Sequence, residues 1–139
     1  MALIKSLLAL LLGAFLLSAG TSHLGSNRTE FLAQVPTWLP LDPDFVVIAS
    51  GLVEIILGAL LIITALILKK YRGVIGLITA VFFILIFPGN INQYVNHLDA
   101  FGLDTDTKRF IRLLFQPPLV ALALWCSDGL RLLKKLKQI

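Results

Sequence analysis

The chain has 139 residues, a mean hydropathy of +0.90, 58% hydrophobic residues and only 14% charged ones, a composition outside that of soluble domains. It predicts an all-α integral membrane protein of one domain, residues 1–139, because no stretch is polar and long enough to fold separately in water. The net charge of +4 does not indicate nucleic acid, since the basic residues sit at the ends of apolar runs, and the single cysteine excludes an internal disulfide, a CxxC pair and a cysteine metal cluster.

A helix needs ~20 apolar residues to cross ~30 Å of hydrocarbon. Four segments approach that length, at about 5–24, 45–68, 73–96 and 107–130. The first is free of charge from Ser6 to Asn27; Lys5, its leucines and Ser18-Ala19-Gly20 also imitate a signal peptide, but its loss would leave an odd number of spans. A long loop, "GSNRTEFLAQVPTWLPLDPD", follows, in which Pro36, Pro40 and Pro43 prevent one continuous helix and Trp38 suits a membrane interface. The second segment carries one charge, Glu54, in "ASGLVEIILG". The basic turn "KKYRG" leads to the third, where Pro88-Gly89 predicts a bend that aims Asn90 inward. A second polar connection, "HLDAFGLDTDTK", leads to the fourth, in which Pro117 and Pro118 free the carbonyls of Leu113 and Leu114 and predict another kink. Cys126 reads as inert packing there, and the basic tail "GLRLLKKLKQI" as a continuation of the fourth helix into the anionic headgroup zone.

Of the twelve Lys and Arg residues, an even four-span topology puts eight on one side (Lys5, Lys69, Lys70, Arg72, Arg131, Lys134, Lys135 and Lys137) and four on the other (Arg28, Lys108, Arg109 and Arg112). The positive-inside rule then predicts both termini in the cytoplasm, N-in and C-in, in a cell membrane, plasma or inner.

At ~1.5 Å per residue, Glu54 lies roughly 13 Å below the outer boundary, and His23, Asn90, Arg112 and Gln116 fall in the same half of the bilayer. Helical phase agrees with depth. Ala9, Gly13, Gly20 and His23 share a face, as do Ser50, Gly51, Glu54 and Gly58, then Asn90, Gln93 and His97, then Arg112 and Gln116. The predicted pocket is therefore His23, Glu54, Asn90, Gln93, Arg112 and Gln116, opening outward above an inner half packed through small residues. Glu54 is expected to be paired with Arg112 or His23, or protonated. A purely structural role, in which this polar layer clasps the helices, fits the same residues.

The strings "AGTSHL", "FLAQVPTWLP", "SGLVEIILG", "FPGNINQ" and "RLLFQPPLVALALW" together resemble the DoxX-like family of small four-span membrane proteins across most of the chain. His23, Pro36, Pro40, Gly51, Glu54, Pro88, Asn90, Arg112, Gln116 and Pro117 match its pattern, whereas Gly89 stands where Ala is more usual. The resemblance implies a link to redox chemistry: an accessory or membrane-anchor subunit of a quinone-linked assembly, with a quinone as cofactor, a redox protein or other membrane protein as partner besides the lipid bilayer, and oligomerisation left open. On this reading the chain is not an enzyme on its own. A non-enzymatic assembly or scaffold protein is the alternative. Relatives that exchange disulfides carry cysteine pairs, which this chain lacks.

Overall fold

In hydrocarbon every backbone N–H and C=O must be satisfied within the chain, and the helix does this locally. The computed structural model describes all residues, Met1–Ile139, as helices α1 (Ala2–Leu24), α2 (Arg28–Phe31), α3 (Pro43–Leu66), α4 (Arg72–Val95), α5 (Asp106–Leu114), α6 (Gln116–Cys126) and α7 (Gly129–Leu136). Two 3-10 turns, Leu32–Gln34 and Lys69–Tyr71, and no strand complete it. Four helical stretches are long and apolar enough to cross a membrane: Ala2–Leu24, Pro43–Leu66, Lys69–Val95 and Asp106–Cys126. The protein is an all-α four-helix bundle whose outer faces are apolar, with Leu7, Leu11, Leu52, Ile56 and Ile63 all exposed, as lipid-facing helices require.

The tightest seam joins α1 and α3, which run antiparallel. A Cβ on Gly13 would lie 2.8 Å from the Gly58 carbonyl oxygen, one on Gly58 2.6 Å from that of Gly13, and one on Gly20 2.5 Å from that of Gly51. Glycines seven residues apart on each helix thus meet in two reciprocal pairs, and the backbones approach too closely for any side chain. Leu12, Leu16, Leu57, Leu61, Phe83, Ala123 and Cys126 form the core below the polar layer, and Cys126 is fully buried, in keeping with its reading as packing.

Local chemistry sets the remaining boundaries. Asp42 caps α3 by accepting from Phe45 N at 2.9 Å, with Pro43 in the first turn, where a missing N–H is harmless. Helix α4 runs unbroken through Pro88. The fourth span divides at Phe115, so Pro117 and Pro118 open α6 and occupy first-turn positions.

The predicted extension of the fourth helix through residue 130 into the basic tail is not what forms. Helix α6 stops at Cys126, Asp128 adopts a left-handed conformation (φ 63°), and α7 starts anew at Gly129. Ser127 sits in the turn, where its Oγ donates to the Ala123 carbonyl and accepts from Gly129 N. Asp128 in turn accepts from Lys5 Nζ at 2.5 Å, tying the redirected chain to the start of α1.

Candidate binding pocket beneath the long loops

The half of the bundle facing the two long connections encloses a cavity of about 440 Å³. His23, Glu54, Arg112 and Gln116 line it together, among walls that include Phe15, Phe31, Val47, Phe83 and Leu119. Four of the six residues expected from depth and phase therefore converge on one space.

His23 Nδ1 lies 3.1 Å from the Val47 carbonyl oxygen and 3.1 Å from Ser50 Oγ. A carbonyl can only accept, so Nδ1 carries a proton and donates it to Val47. That leaves Nε2 facing Glu54 Oε2 at 3.2 Å. In neutral His23 this nitrogen has only a lone pair, so an attractive contact needs a proton on either Glu54 or Nε2. The contact is not aligned as a hydrogen bond, and Glu54 Oε2 is a buried acceptor without a hydrogen-bond donor. No Arg112 nitrogen comes within 4.0 Å of a Glu54 oxygen; of the partners expected for Glu54, the geometry selects His23.

Gln116 is held on three sides. Its Nε2 donates to the Phe83 carbonyl at 2.7 Å, and its Oε1 accepts from Asn90 Nδ2 at 3.3 Å and from Arg112 Nη1 at 3.4 Å. Asn90 reaches the cavity only through this amide, and its Oδ1 is a second buried acceptor with no donor. Gln93 turns away: its Nε2 donates to the carbonyls of Leu98 and Ala100, and its Oε1 accepts from Gln34 Nε2 at 3.1 Å. His97 has a positive φ of 53° and an exposed side chain 2.7 Å from Asp106 Oδ1.

The first long loop folds over the cavity as a roof, which helical phase alone does not reveal. The Phe31 ring sits on His23 with centroids 3.4 Å apart and meets Phe101 edge-on at 4.7 Å. Glu30 Oε2 accepts from Phe101 N at 2.5 Å, coupling the two loops. Asn92 Nδ2 donates to the carbonyls of Ala33 and Val35 at 3.2 and 3.4 Å. Gly89 lets the Gln34 carbonyl pass so close that a Cβ would collide with it. Val35, Pro36 and Trp38 complete the cover. The "FLAQVP" string and the Asn and Gln residues after Pro88 were its traces in the sequence.

A second, wider groove of about 690 Å³ runs along the α4–α6 seam past Phe87, Val120 and Trp125 and shares Gln116 with the pocket. Its walls are otherwise almost wholly apolar, as a surface in contact with acyl chains is.

A family model described as a domain of unknown function, DUF8561, matches residues 12–127, which takes in the second half of the first span, the other three spans and the whole pocket. No curated protein and no solved structure matches the chain.

Proposed function

The chain belongs to the DUF8561 family; we propose that it is an accessory or membrane-anchor subunit of a quinone-linked redox assembly, with its loop-covered pocket holding the quinone head group. The observation that carries this is the composition of the cavity: aromatic and aliphatic walls around a His23–Glu54 pair with an unsatisfied carboxylate oxygen. A quinone head needs a flat apolar slot, donors to its carbonyl oxygens and a group that exchanges a proton when the oxidation state changes. Phe31, Val47 and Leu119 supply the slot, Arg112 the donor, and the His23–Glu54 pair the group that exchanges a proton. The chain contributes binding and proton handling, and electrons come from a partner protein.

The resemblance to DoxX-like proteins supports the same reading, since His23, Glu54, Asn90, Arg112 and Gln116 all belong to that pattern. The eight-to-four bias of Lys and Arg supports N-in, C-in insertion in a plasma or inner membrane, with the pocket opening outward. The scaffold alternative draws on a different feature: the Asn90–Gln116–Phe83 bonds join α4 to α6 whether or not anything binds.

Purified protein in mild detergent should retain a quinone, detected by mass spectrometry of its organic extract, and Arg112→Gln should lose it. A wild-type extract with no more quinone than that of an unrelated membrane protein prepared in parallel would overturn the proposal and favour the scaffold.

A further inference from the structure

The end of the bundle remote from the loops carries a second polar construction, built from two parts of the chain some sixty residues apart. Lys69 and Lys70 occupy the turn before α4 and Arg72 opens that helix, and Arg131, Lys134 and Lys135 lie three and four residues apart on α7, hence on one side of it. The break at Asp128 brings these groups together. It lays α7 against the start of α4, where a Cβ on Gly73 would meet Asp128 O at 3.5 Å and Leu132 Cβ at 3.6 Å. All six cations line one cavity of about 590 Å³. Its single acid, Asp128, is already paired with Lys5 at 2.5 Å.

Arg72 forms the floor and is the informative member. It is only 8% exposed; Nη1 donates to Ser6 Oγ at 3.1 Å and Nη2 to the Cys126 carbonyl, while Nε has no hydrogen-bond partner. No carboxylate lies within 4.0 Å of it. A buried guanidinium without a counter-ion is costly, and an anion in the cavity above it would lower that cost. The surrounding side chains are exposed cations on long stems, suited to close on a phosphate.

We propose that this cavity is a phosphate-binding site that takes the headgroup of an anionic membrane lipid. Its position at the ends of α4 and α6 puts it where headgroups lie, and the exposed Leu130 and Leu136 of α7 give that helix an apolar side to rest on the acyl boundary. The site is separate from the loop-covered pocket and does not depend on its function.

The test uses full-length, delipidated protein in an uncharged detergent, with thermal unfolding followed during titration. Micelles doped with phosphatidylglycerol should raise the Tm saturably and phosphatidylcholine should not. The exposed pair Arg131→Ala/Lys134→Ala should weaken the apparent affinity on the order of tenfold or more, while Lys137→Ala, which removes a tail charge outside the cavity, should leave it unchanged. Inorganic phosphate is the second arm: the same shift at millimolar concentration, with the same dependence on the variants, would keep the phosphate chemistry but assign it to a soluble source and overturn the lipid. Equal stabilisation by phosphatidylcholine, or equal loss from Lys137→Ala, would show a diffuse basic surface and overturn the site.

Discussion

Glu54 is the residue on which the pocket turns. It is buried, 3.2 Å from His23 Nε2, and its Oε2 has no donor. An amide at this position has nearly the same shape and can still accept a hydrogen bond, but it cannot take up a proton. On the proposed quinone-linked reading, Glu54→Gln is therefore expected to express and unfold like the wild type while activity in the proposed assembly falls at least about tenfold, a general acid–base contribution at its lower end or below. Tm and partner-dependent turnover measured on the same preparation check this, and a variant that keeps both would remove Glu54 from proton handling. At this scale the sequence was a good guide wherever helical phase alone decides direction: depth and period placed His23, Glu54, Arg112 and Gln116 around one space. They misplaced Gln93, because the carbonyls of Leu98 and Ala100 that capture its amide belong to a connection whose path no helical period describes.

Among the elements, the roof depends on backbone passing backbone at Gly89 and Gln34. A methyl group there meets a carbonyl oxygen rather than a flexible side-chain end, so the loop has to move or the helix has to shift. Gly89→Ala should keep the four spans and loosen the cover, raising amide hydrogen exchange across residues 28–41 with little change elsewhere; unchanged exchange in that segment would show that the loop is held by Asn92 and Glu30 alone. The four spans were legible because length, hydropathy and charge placement are set by the bilayer itself. The end of the fourth was not. Asp128-Gly129 is a turn signal, but the leucines and lysines beyond it continue an amphipathic helical period, and only the Ser127 hydrogen bonds and the Lys5 contact show that the chain turns.

The whole molecule places polarity at both ends of an apolar bundle: a covered pocket between the spans at one end and a basic cavity at the other. The eight-to-four distribution of Lys and Arg predicts that the basic end is cytoplasmic. A cysteine introduced at Asp42 or Asp104 should react with an impermeant maleimide added outside intact cells, and one at Lys70 should not; the reverse pattern would invert the topology and turn the pocket inward. Binding in that pocket can be read optically, because the chain has two tryptophans and one of them, Trp38, lines the cavity. With Trp125→Phe as background, Trp38 is the sole tryptophan reporter of the covered site. The most direct measurement is a titration of this protein with a short-chain quinone, following Trp38 emission. Saturable quenching that weakens at least about tenfold, roughly 1.4 kcal/mol, when Arg112→Gln and Glu54→Gln are added is the predicted result; linear, unsaturable quenching identical with and without those substitutions would contradict it.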